Sequence, residues 1–118
     1  MNLETFREYC LTKKGVTEEL PFGPDTLVFK VMGKVFALTG LDTERFKISL
    51  KNTPEKNEEI RAEYASVTGA YHMNKRHWNT VAVDGCVKDN ILKEWISESY
   101  DIVVKNLPKK TQEELNNM

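Results

Sequence analysis

The chain has 118 residues, 40% of them hydrophobic and 30% charged, with a formal net charge of −1. A chain of this size carries one core without disulfide or metal staples, and the balance is that of a globular protein rather than a disordered or fibrous one. It excludes a polypeptide coated in positive charge, and no apolar run approaches the roughly 20 residues of a membrane-spanning helix.

The first residues, MNLETFREYC, lack the basic start and apolar block of a secretory signal, which predicts a cytoplasmic protein. Leu3, Phe6, Tyr9 and Cys10 recur at helical spacing, and Gly15 after two lysines is a stop, so the chain opens with an amphipathic helix. ELPFGPD holds two prolines and a glycine and reads as a stiff extended connection, with Phe22 as an apolar plug.

TLVFKV and KVFAL flank Met32 and Gly33, a two-residue link suited to a tight hairpin. RFKISLK then alternates cleanly. Phe46, Ile48 and Leu50 are predicted to point inward and Arg45, Lys47, Ser49 and Lys51 outward, giving a basic strand face. NTPEKNEEIRAEYA reads as a second helix with Thr53 as N-cap and Pro54 at its first position, and its thin apolar content, Ile60 and Tyr64, predicts that it lies across a sheet edge.

HWNTVAV alternates again and ends in the Asp84-Gly85 turn. From Lys88 onward Ile91, Leu92, Trp95 and Ile96, then Tyr100, Val103, Val104 and Leu107, follow helical spacing up to Pro108. The phase shifts near Ser97 to Ser99, which predicts two helices or one kinked helix. Residues 1–110 form the domain on this reading; 111–118 form a C-terminal tail that carries a capping-box pattern, Thr111 with Glu114, but is too short to bury anything and frays. Cys10 and Cys86 fall in a helix and a turn with no CxxC spacing and are read as unpaired thiols.

A helix, three short-linked strands, a helix, a strand and further helices make an α+β two-layer sandwich, an antiparallel sheet with helices packed on one face. Charge follows the layers. Residues 26–51 and 67–88 carry +3 and +2, whereas 1–25, 52–66 and 89–118 carry −2 each. The sheet is therefore expected to be electropositive and the helices electronegative.

PFGPDTLVFKVMGKVFAL, ISLK, YHMNKRHWNTV and SYDIVVKNLPKK, in this order over nearly the whole chain, resemble the MmcQ/YjbR family of small bacterial proteins. The resemblance implies a CyaY-like fold and carries a DNA-binding label that rests on likeness to a double-wing arrangement of hairpins. Fold likeness of that kind does not establish function.

The densest polar cluster is AYHMNKRHWNTVAVDG, residues 70–85. Lys30, Arg45 and Lys47 on strand faces, with Tyr71, His72, Asn74, Lys75, Arg76, His77 and Trp78, supply cations that can track phosphate and rings that can stack on a base. The expectation is DNA binding through the basic sheet face and this segment, by a monomer with no cofactor. Two alternatives stay open. One is a non-catalytic site for a small anionic ligand using the same His, Lys and Arg residues; the other is a protein-interaction module. Catalysis is disfavoured, because no nucleophile with its base, no Gly-rich phosphate loop and no HExxH is present. Glu4, Glu8, Glu18 and Glu19 are ordinary solvated carboxylates on this reading, and no metal site is expected.

Overall fold

Asn2 starts the first helix, α1 (Leu3–Leu11), by a reciprocal cap in which its side chain accepts from the Thr5 amide and the Thr5 hydroxyl accepts from the Asn2 amide. These details come from a computed structural model that describes residues 1–70 and 73–118. The remaining elements are β1 (Val16–Glu19), β2 (Thr26–Val31), β3 (Lys34–Gly40), β4 (Lys47–Lys51), α2 (Pro54–Glu63), β5 (Val67–Gly69), β6 (Trp78–Ala82), α3 (Asp89–Lys105) and α4 (Lys109–Asn116). The strands form one antiparallel sheet in the order β1-β2-β3-β4-β6-β5.

The link between β2 and β3 is a two-residue turn in which Met32 and Gly33 both have positive φ, 49° and 83°, the handedness that matches strand twist. A bulge follows. Phe29 pairs with Ala37 and Lys30 with Val35, so Phe36 is the extra residue, and its ring turns into the core against Tyr100 (5.5 Å between centroids).

Cross-strand partners share a face, so the register sorts the sheet into two sides. Leu27, Thr39, Ile48, Val81 and Val67 form one row, and Phe29, Ala37, Leu50, Asn79 and Gly69 another, on the side covered by helices. There Phe6 of α1 meets Phe29 and Phe46 edge-on, and Leu92, Trp95, Ile96 and Val103 of α3 fill the centre. Val28, Leu38, Ser49, Thr80 and Thr68 form the row on the opposite side, flanked by Lys30, Lys47 and Lys51. The architecture is thus an α+β two-layer sandwich with helices on one face.

Five expectations are corrected. Phe22 plugs nothing: it is 74% exposed. The chain before it forms an edge strand, β1, whose adjacent Glu18 and Glu19 hid it. A second missed strand, β5, has only three residues and is likewise an edge. α3 is one uninterrupted helix of 17 residues. Its apparent phase shift arises because Ser99 occupies a core position and is fully buried. The segment expected as a fraying tail is instead most of α4, which buries Leu115 over Gly15, and its N-cap is Pro108 with no Thr111–Glu114 box. As expected, α2 starts at Thr53 and Pro54 and lies across the β6–β5 edge, with Tyr64 edge-on to Trp95.

Candidate nucleic-acid interface

The uncovered face is built by β4. Its alternation sends Ile48 and Leu50 into the core and leaves Lys47, Ser49 and Lys51 on the other side, beside Ala82, Thr80 and Trp78 of β6. Ser49 and Thr80 join hydroxyls at 2.9 Å across the strands. Lys47 and Lys51 are four residues apart, which on an extended strand is roughly 13 Å. Lys30 stands on the same side of β2 but is tied at 3.3 Å to Glu19, a carboxylate that the Thr17 hydroxyl and, after it, Lys30 hold below the usual range. Among the described residues Arg45, Lys47, Lys51, Lys75 and Arg76 form no ion pair within 4.0 Å.

Arg45 lies outside β4, in the loop before it, yet its side chain stays beside Lys47. Asp84 faces it from the turn after β6. The backbone and side-chain hydrogen bonds from Cys86, with a smaller contribution from the Arg45 charge, keep the Asp84 carboxyl below its usual range.

The 73–77 loop is set by a separate group of contacts. Asn74 folds its own turn: its side-chain oxygen accepts from the Arg76 amide (2.9 Å), and its carbonyl accepts from the His77 and Trp78 amides. α2 then staples the loop from behind. Asn57, fully buried, donates to the Arg76 carbonyl (2.9 Å), and Arg61 donates to the Lys75 carbonyl (2.6 Å) and to Asn79 Oδ1 (3.1 Å). A Cβ placed on Gly69 would meet Lys75 Cβ and Cγ at 3.2 Å. Because Gly69 shares its face with Asn79, whose amide reaches the Asn57 carbonyl, the stem of Lys75 lies on the helical side of β5.

The expected site residues therefore divide. Lys30, Arg45 and Lys47 gather on the open side, joined by Lys51, whereas Lys75 sits round the β5 edge. Trp78 is buried, so its ring packs rather than offering a free stacking surface. Asn74 spends its side chain on the turn, Arg76 is exposed and His77 is half-buried. Tyr71 and His72 lie outside the described residues.

Sequence reasoning missed Ser66, Thr68 and Thr80, which share a shallow cavity with Arg45 and Lys47. The signal was the Ser-Val-Thr alternation at 66–68, too short to read as a strand. Asn57 and Arg61, which anchor the loop, left no sequence mark beyond lying on one helix face.

A two-layer α+β sandwich with one helical layer and one helix-free, lysine-bearing sheet face is the class that fold and surface define. The chain belongs to the YjbR family, whose model, described as YjbR, matches residues 11–102. It is 36% identical over 109 residues to YbdF of Escherichia coli O157:H7, covering 92% of this chain and 89% of that protein. It is 30% identical over 109 residues to YjbR of Escherichia coli K12, covering 92% of each. Among solved structures, Deinococcus radiodurans DR2400, a DUF419 domain, superposes with a TM-score of 0.91 at 36% identity, over 98% of this chain and 88% of that one. A Pseudomonas syringae protein gives a TM-score of 0.75 at 28% identity, over 86% of this chain and 98% of that one. Among the described residues no helix is long and apolar enough to cross a membrane.

Proposed function

We propose that the protein binds nucleic acid through the open sheet face, with Lys47 and Lys51 on separate backbone phosphates of one strand and Arg45 beside Lys47. The observation that carries this reading is the charge on that face: Lys47 and Lys51 project from the one side of the sheet that no helix covers. Neither has a carboxylate within ion-pairing distance among the described residues. Cations left unpaired on an accessible face attract a polyanion, and release of its counterions supplies the driving force. Lys30 contributes less, because Glu19 already neutralises it.

Phosphate contacts position a strand without reading sequence, so binding of low sequence preference is the form of recognition this surface supports. Arg76 and Lys75 extend the basic surface beyond the β5 edge, held there by α2. The test is fluorescence anisotropy with labelled single-stranded and duplex DNA across a salt series. Binding that weakens linearly with the logarithm of salt, and that is lost in a Lys47→Gln, Lys51→Gln variant, supports the reading. Absence of binding to both DNA forms at low salt overturns it.

A further inference from the structure

We infer that the cavity between β4, β5, β6 and the Asp84 turn, about 290 Å³ in volume, is a binding site for a phosphate group carried on a sugar-sized body. It rests on the same open face as the nucleic-acid reading and shares Lys47 with it, but it does not require a polymer. Arg45 and Lys47 supply two cations to its wall, and Ser66, Thr68 and Thr80 supply hydroxyls. This is the donor set that oxyanions take, with a guanidinium fork, a point charge and short hydrogen-bond donors.

The second observation is Ser66. Its hydroxyl oxygen is sealed from solvent and has no hydrogen-bond partner among the described residues, although its backbone carbonyl is satisfied by the Ala82 amide. A buried hydroxyl without a partner is costly and uncommon in a folded protein, and rotation of the Ser66 side chain into the cavity would give it a ligand oxygen. Thr80 is able to help. It shares a hydrogen bond with Ser49 in which either oxygen can donate, so accepting from Ser49 leaves the Thr80 hydrogen for the cavity.

Asp84 selects among anions. Its Oδ1 is engaged by the Cys86 amide at 3.0 Å, and it stays ionised beside Arg45. A bare anion is repelled by it, whereas a ligand that also carries hydroxyl or amino groups can donate to it. The volume lies at the small end of the roughly 300–1,000 Å³ typical of ligand pockets, which suits one phosphate and one sugar and excludes larger bodies. The phosphate can come from a free phosphorylated sugar or from the end of a nucleic-acid strand.

The experiment is an amide NMR titration with ribose 5-phosphate, with inorganic phosphate, and with short oligonucleotides that do or do not carry a 5′-phosphate. Saturating shifts at Ser66, Thr68 and Thr80 are expected with ribose 5-phosphate. Arg45→Gln and Ser66→Ala should each weaken it about ten- to a hundredfold, the range for a charged hydrogen bond, while Lys34→Gln at the distant hairpin leaves it unchanged. Asp84→Asn should tighten inorganic phosphate and remove the preference for the sugar phosphate. Linear, unsaturated shifts, or saturation indifferent to Arg45 and Ser66, overturn the inference. Binding of ribose 5-phosphate without any oligonucleotide would leave this site standing and overturn the nucleic-acid reading. Lysine-dependent binding of oligonucleotides with no 5′-phosphate preference, and no response to the sugar phosphate, would do the reverse.

Discussion

The hydroxyl of Ser99, at the centre of α3, donates to the carbonyl oxygen of Phe36 at 2.5 Å and accepts from the Lys51 amide at 2.8 Å. One buried side chain thus satisfies the backbone at the β3 bulge and at the end of β4, the strand that carries the candidate lysines. Ser99→Ala leaves both backbone groups without a partner inside the core, and a loss of about 2–4 kcal/mol is expected. Chemical denaturation measures it. A Ser99→Thr variant, which keeps the hydroxyl, should recover part of the loss.

Leu115 is the buried residue that anchors α4. Leu115 is 3% exposed, and a Cβ on Gly15, whose φ is +73°, would lie 2.5 Å from Leu115 Cδ1. Leu115→Ala is expected to destabilise by about 2–4 kcal/mol. Gly15→Ala combines a strained backbone with that clash and should expose the amides of 109–116 to hydrogen exchange before global unfolding.

Burial pushes the Cys10 thiol up from an ordinary 9.0 to about 12. The folded protein therefore holds this proton more tightly than the unfolded chain does. Its contribution to stability is full below pH 9 and is lost as pH climbs toward 12. Wild-type stability should fall more steeply across that window than that of Cys10→Ala, as followed by denaturant midpoints at each pH. A thiol reagent should label exposed Cys86 and leave Cys10 untouched in the folded protein.

Asn57 should control the loop as well as the fold. It is 1% exposed, and its amide donates to the Arg76 carbonyl, while its own carbonyl accepts from Asn79. Asn57→Leu keeps the branched shape, though not the volume, and strands the Arg76 carbonyl, so a loss of at least about 1–3 kcal/mol is expected. Faster amide exchange confined to residues 73–77 would separate a local release from general destabilisation.

For the sheet face, each of Lys47→Gln and Lys51→Gln should flatten the logarithmic salt slope of DNA binding by about 0.9 on duplex or about 0.7 on a single strand. Lys30→Gln should change it less, since its ion pair with Glu19 already offsets the charge. Equal effects from all three lysines would remove the distinction drawn from that pair.

The sequence was most readable where one physical cause dominated. The period-two pattern of Lys47 to Lys51, the positive-φ turn at Gly33 and the Thr53-Pro54 helix start each have a local origin, and each is where the residues say. It was least readable where tertiary contacts decide. β1 carries Glu18 and Glu19 because Arg7 of α1 and Lys30 of the neighbouring β2 pair with them, so its composition does not look like a strand. β5 is held by pairing with β6, and Ser99 sits in the core because two backbone groups need it. The site was half legible for the same reason. Parity placed Lys30 and Lys47 together, but nothing local to NKRHW shows that Arg61 and Asn57 draw that loop toward the helices.

The margin of the sheet at β5 is a single strand of three residues, with cations on both sides of it. Any chain that touches Lys47 and Lys75 together must bend sharply round this rim. A double helix stays straight over about 150 base pairs, whereas an unpaired strand turns within a few nucleotides. Contact with both lysines at once therefore favours the more pliable polymer, and duplex would be confined to one side of the rim.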